Sequence, residues 1–252
     1  MTPWVRWLLA ANVGMFLLTN AFPQIVPQLV LVPVLIPERP WTLVTYMFVH
    51  AGVWHLVFNM IALYFFGPRV EARLGERHFI GLYFASGLMA ALASLVFTPG
   101  AAIVGASGAI YGVMLGFARY WPRSLIYIWG VIPLEARWFV VGMTVLSLLG
   151  GFGGLNPGLA HFAHLGGFLG GFAYLFLLDR RRGRVLKEFV RAPSRASDAP
   201  DMAAQRWATI RLDALHPVNR QVVEPLLQKV ALSGPTSLTA DERAVLDRFS
   251  AR

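Results

Sequence analysis

The chain has 252 residues, 56% of them hydrophobic, a mean hydropathy of +0.57 and a formal net charge of +9, a balance that points to a membrane protein of one or two domains. It contains no cysteine, which excludes disulfides, thiolate metal sites and a cysteine nucleophile. The basic residues border apolar runs instead of clustering in a patch, so they fit the positive excess on one side of a membrane protein and not a nucleic-acid partner.

Six apolar spans are expected, near residues 4–22, 50–66, 79–97, 105–118, 137–150 and 159–178. Several approach the roughly 20 residues that cross a hydrocarbon core. The first resembles a signal peptide, with Arg6 in its opening turn, but no small-residue cleavage site follows it and a retained span is expected. Residues 23–40 are apolar yet carry prolines at 23, 27, 33, 37 and 40. They cannot form one helix, and the expected place for such a segment is the membrane interface, packed on the bundle. The fourth span is short and opens with Gly105-Ala106-Ser107-Gly108. Its start would lie below the membrane surface, in a cavity that admits water.

Arginine sets the expected orientation. Arg6, Arg69, Arg73, Arg77, Arg119, Arg123, Arg137, Arg180, Arg181, Arg182 and Arg184 fall on one side of the six spans, and only Arg39 falls on the other. Both termini should therefore face the cytoplasm, with Ser107 toward the outer face. The chain opens with no long extension of the organelle-targeting kind, so a bacterial cytoplasmic membrane is expected. Residues 1–182 would form the membrane domain, 183–203 a basic and polar linker, and 204–252 a small helical cytoplasmic tail. Within that tail, Thr239 and Glu242 have capping-box spacing, and Val245, Leu246 and Phe249 mark one apolar face.

Polar side chains inside the spans carry the chemistry. His50, His55 and Asn59 open the second span, and His55 and Asn59 share a helix face. His161 and His164 precede Gly166, Gly167, Gly170 and Gly171 in the sixth. Ser107 reads either as a small residue easing helix packing, beside Gly108, Gly112 and Gly116, or as a nucleophile. His164 reads either as a buried structural histidine or as the base for that serine. Glycines at 167 and 171 would let the sixth helix come close enough to bring the two together. No acidic residue lies within a span, so a Ser-His-Asp triad is excluded and a dyad is the serine option. Tyr111, one turn after Ser107, could support the imidazole, and His55, Asn59 and the Ser107 amide could receive an oxyanion. Four intramembrane histidines also leave open a haem or metal site.

Together these motifs resemble the rhomboid intramembrane serine proteases: His50-x4-His55-x3-Asn59, Gly105-Ala106-Ser107-Gly108 with Tyr111, and Ala163-His164-x2-Gly167-x3-Gly171. Glu71-Ala72-Arg73 is similar to a recurrent Glu-x-Arg element of that family. The likeness covers roughly residues 1–180. It implies an all-α, six-transmembrane-helix bundle and cleavage of single-span membrane proteins near the outer membrane face, without cofactor or metal. It implies Ser107 as nucleophile, His164 as base and acid, and His55, Asn59 and backbone amides as the oxyanion hole. Tyr111, His50, Gly105, Glu71 and Arg73 would support the site. The family often has Trp-Arg where this chain has Trp41-Thr42, a departure that touches loop anchoring. A non-catalytic relative that binds transmembrane helices is the alternative within the same family.

Overall fold

Thr2 is extended and Pro3 follows it, an arrangement that opens a helix at a position whose amide would have no acceptor anyway. Helix α1 runs Pro3–Ala21. The structure, a computed structural model, describes residues 1–128, 130–152, 161–191 and 200–250, with the backbone alone for 182–191 and 200–202. Prolines reduce the next stretch to short turns: 3-10 turns at Pro23–Ile25 and Pro33–Leu35 and a one-turn helix α2, Val26–Leu29. Helix α3, Thr42–Thr45, and the 3-10 turn Tyr46–Phe48 lead into α4, Val53–Leu74. Gly75, with φ of 82°, turns the chain into α5, Glu76–Phe97. Then come α6, Ser107–Tyr120, a hairpin of β1, Leu125–Ile128, and β2, Ile132–Glu135, helix α7, Ala136–Phe152, and α8, His161–Arg191.

The hairpin departs from the all-α expectation. Gly130, at φ 74°, takes the left-handed conformation that reverses the chain, and Leu125 pairs with Glu135 at its base and Ile128 with Ile132 at its tip.

Helix α6 is buried on nearly every side, and small residues make that possible. Gly108 faces Ala90, and Gly112 faces Ser86, both on α5. Helix α8 wedges against both neighbours: Gly166 and Gly170 meet the α5 backbone at Met89 and Ala85, while Gly167 and Gly171 meet α6 at Gly108 and Gly112. Close backbone approach of this kind suits apolar surroundings, where burying leucine brings no advantage over lipid. Across the bundle, Glu71 near the end of α4 is 2% exposed and accepts from the amides of Trp4 at 2.9 Å and Val5 at 3.0 Å. It caps the open start of α1, where unpaired amides and the helix dipole both favour an anion.

By length and apolarity, Glu76–Phe97 and His161–Arg181 are each able to cross a membrane. The number rises to four if Pro3–Ala21 with Pro23–Leu29, bent by 107°, and Thr42–Phe48 with Val53–Leu74, bent by 95°, each count as one span. Helix α7 is apolar but shorter, at 17 residues. The chain is an integral membrane protein with a largely helical body. Helices lie over each of the six expected spans, although the expected start at residue 159 falls outside the described residues.

Two compact units divide the chain, Met1–Leu177 and Leu178–Arg252. Backbone helix continues to Arg191, where a linker from 183 is expected, because Arg-Val-Leu-Lys-Glu is good helix-forming sequence. In the second unit α9, Pro200–Ala208, α10, Pro217–Ser233, and α11, Ala240–Ser250, enclose Trp207, Val223, Leu238, Val245 and Leu246. Its capping box has both bonds: Glu242 accepts from the Thr239 amide at 2.7 Å, and Thr239 Oγ1 accepts from the Glu242 amide at 3.3 Å.

Candidate active site

Ser107 is the first residue of α6, and the loop before it is shaped to deliver it there. Leu31 and Ile103 exchange backbone hydrogen bonds of 3.1 and 2.8 Å, tying the proline-rich segment to the loop. The Gly105 amide donates to the Tyr46 carbonyl at 2.9 Å, and the Tyr46 hydroxyl donates to the Gly87 carbonyl at 2.8 Å. Gly105 itself sits at φ 112°, a conformation other residues rarely adopt. A β-carbon there would also stand 2.6 Å from the His55 ring. Glycine is therefore required twice at this position.

His164 lies one turn into α8, and its Nε2 is 2.8 Å from Ser107 Oγ. Tyr111 stacks on the imidazole, with centroids 4.3 Å apart and planes 13° from parallel, and Phe168 backs the tyrosine at 4.7 Å. From α7, the buried side chain of Ser147 interacts with the Tyr111 hydroxyl. Three helices thus fix the imidazole: α8 bears it, α6 stacks on it, and α7 holds the stacking ring.

On the other side stands α4. His55 Nδ1 accepts from the Ala51 amide at 3.4 Å, which assigns the ring proton to Nε2, the nitrogen turned to Gly105. His50 meets His55 edge-on at 5.0 Å, with Nδ1 3.3 Å from the Phe48 carbonyl. Asn59 is buried one turn along from His55 and spends one Nδ2 proton on the His55 carbonyl at 2.8 Å, leaving the second N–H for another acceptor. At the start of α6, Ile110 is the first amide bonded back within the helix, to Ala106. The amides before it have no intrahelical acceptor.

The structure brings Ser107, His164, Tyr111, Gly105, His55 and His50 into one cluster, with Asn59 adjoining. Glu71 and Arg73 stand apart, since the sixteen residues from His55 to Glu71 along α4 span about 24 Å. Glu71 anchors α1, and the Arg73 guanidinium lies 5.4 Å from the centre of the Tyr120 ring. His161 packs against Gly150 of α7, and its Nε2 has no hydrogen-bond partner among the described residues. His78 is half-buried and lies 3.1 Å from the Tyr174 hydroxyl. Among the described residues, no three His, Asp or Glu side chains group as metal ligands. Sequence reasoning did not single out Tyr46 or Ser147, because one tyrosine and one serine in apolar surroundings carry no spacing signal.

Residues 37–181 match the family profile described as Rhomboid domain. The chain belongs to the rhomboid family. Among its relatives, RHOMBOID-like protein 7 of Arabidopsis thaliana is 34% identical over 141 residues, 56% of this chain and 44% of that one. Rhomboid-like protease 3 of Toxoplasma gondii is 34% identical over 134 residues, 53% of this chain and 49% of that protein. YdcA of Bacillus subtilis strain 168 is 31% identical over 145 residues, covering 57% of this chain and 70% of that one. The matched part of this rhomboid spans less than half the length of the Arabidopsis and Toxoplasma proteins.

Proposed function

We propose that this rhomboid is an intramembrane serine endopeptidase with Ser107 as nucleophile and His164 as general base and acid. The observation that carries the reading is the 2.8 Å contact between Ser107 Oγ and His164 Nε2, within the range a nucleophile and its base require. In the neutral tautomer with the proton on Nδ1, Nε2 accepts the hydroxyl proton as Oγ attacks the substrate carbonyl carbon. Negative charge then gathers on the carbonyl oxygen. The Ser107 amide, His55 Nε2–H and the free N–H of Asn59 are the donors available to receive it. Collapse breaks the C–N bond, and His164 returns the proton to the departing amine. Water repeats the cycle on the acyl-serine, releasing a carboxylate and restoring Ser107. Tyr111 keeps the imidazole plane in register, in place of the absent third acid.

Helices α1, α4, α5, α6, α7 and α8 are taken as the six crossings, with both termini cytoplasmic on the arginine asymmetry. Ser107, at the start of α6, then sits toward the outer face of a bacterial cytoplasmic membrane. The substrates are single-span membrane proteins cut near that border, where a peptide bond can leave its helix to reach the serine.

Cleavage of a single-span model substrate in vesicles tests the reading. Wild type should cut. Ser107→Ala and His164→Ala should lose at least about 10³-fold in rate, and His161→Ala should keep most of it. Equal rates for Ser107→Ala and wild type overturn the assignment. Wild type that binds the substrate helix without cutting it makes the protein a non-catalytic helix-binding relative.

A further inference from the structure

The β1–β2 hairpin has a composition that water does not explain. Cross-strand pairing puts Leu125, Tyr127 and Pro133 on one face and Ile126, Ile128, Ile132 and Leu134 on the other. A two-stranded hairpin on a water-facing surface presents polar residues on at least one side. Here both faces are apolar, broken only by Glu135 at the base, which pairs with Arg137 at 2.6 Å. Exposure is high as well: Leu125 54%, Tyr127 59%, Val131 76% and Ile132 58%. No third strand covers the edges among the described residues, and a lone hairpin is marginally stable in water.

We propose that this hairpin is an interfacial anchor, lying in the headgroup–acyl boundary of the leaflet at the α6 C-terminal end. Three features favour lipid as the occupant. First, the exposed apolar surface is continuous with that of α7, where Trp138, Val141, Val145, Leu146 and Leu149 are all exposed on a helix of a membrane bundle. Whatever solvates that stripe also meets the hairpin. Second, exposed Arg123 and Arg137 bracket the hairpin, Arg137 stacks over Trp138 at 5.4 Å, and Arg69 stacks over Trp121 at 5.3 Å. Arginine beside aromatic rings at a membrane border suits lipid phosphate and the headgroup level. Third, the open strand edges limit the depth. Unpaired amides and carbonyls do not persist in the hydrocarbon core, but water reaches them in the interface. Backbone bonds from Ala136 to Ser124, 2.9 Å, and from Arg137 to Pro122, 3.1 Å, fix the hairpin to the ends of α6 and α7, so depth at the tip sets the depth of both helices. The proposal is independent of which residues do the chemistry.

The absence of cysteine makes the test clean. Single cysteines at Val131 and, separately, Tyr127 carry a nitroxide label in the full chain. The protein is reconstituted in vesicles of phosphatidylcholine with a minority of phosphatidylglycerol. Collision with oxygen, which partitions into lipid, is compared with collision with a water-soluble nickel chelate. Label at Leu146 on α7 gives the hydrocarbon reference, and free label in buffer gives the aqueous one. Both hairpin labels should show oxygen-to-nickel ratios between the two references, several-fold above the aqueous value. A ratio equal to that of free label overturns the proposal, because the hairpin then stands in water. Labels shielded from both reagents overturn it too, since a second copy or another protein then covers the hairpin. Helix content by circular dichroism, unchanged between labelled and unlabelled protein, shows that each variant tested is folded.

Discussion

A β-carbon added at Gly171 would stand 2.6 Å from the Gly112 α-carbon, and one at Gly167 would press on the Gly108 carbonyl. Neither obstacle is a flexible side chain. Gly167→Ala must therefore push α8 away from α6, and the first contact to lengthen is the one between Ser107 and His164. We expect Gly167→Ala to lower cleavage by at least about 10²-fold, the scale of a 1 Å misplacement at a reacting pair. Gly142, on α7, has open space around it. Gly142→Ala should gain up to about 1 kcal/mol of helix stability with cleavage unchanged. Rates and thermal unfolding of both variants, side by side, check this. The Tyr111 hydroxyl poses a second question at the same scale. If its interaction with Ser147 holds the stacking ring in place, Tyr111→Phe and Ser147→Ala should each slow cleavage, by about 5- to 10-fold, the scale of one hydrogen bond. The double variant should be no slower than either single one. Additive losses would show that the two residues act separately.

At the scale of the element, the cap on α1 is set by a residue 66 positions away from Val5 in the chain. Glu71→Ala leaves the Trp4 and Val5 amides without their acceptor, a loss of about 1–3 kcal/mol. Glu71→Gln keeps one carbonyl oxygen and should cost less. Thermal unfolding in detergent distinguishes them, with the cleavage rate of the folded protein little changed because the site is about 24 Å along α4. The sequence motif Glu71-Ala72-Arg73 marked this residue without revealing its job, since a cap between distant helices has no local signature. The helices and the Ser107 cluster were legible because polar residues in an apolar span are costly and therefore few. His161 and His164 illustrate the limit: three residues apart, they are told apart in sequence by the glycine spacing after His164 alone, and the packing places His161 against Gly150 and His164 beside Ser107. The hairpin was hidden for a different reason. Leu-Ile-Tyr-Ile and Ile-Pro-Leu-Glu lack the apolar–polar alternation that identifies a strand on a wet surface.

At the scale of the molecule, each of the two units has an interior stabilised by its own kind of contact. Met1–Leu177 relies on glycine-mediated backbone contact, with few charges inside, whereas Leu178–Arg252 has a small apolar core rimmed by ion pairs and a capping box. The second should respond to acid through Glu242. The Lys229 ammonium, 2.8 Å from Glu242, together with the Thr239 amide, holds the Glu242 carboxyl below the ordinary glutamate range. A carboxyl depressed on folding adds stability that is fully present above its unfolded value, about 4.3. That stability is lost as pH falls toward the lower folded value. Glu242→Gln removes the charge at every pH. Hydrogen exchange in peptides covering 229–250 should therefore be faster in Glu242→Gln than in wild type near neutrality. The difference should shrink below about pH 4.3 and vanish once wild type is protonated. A difference that persists in strong acid would mean that the side chain acts through packing and not through its charge.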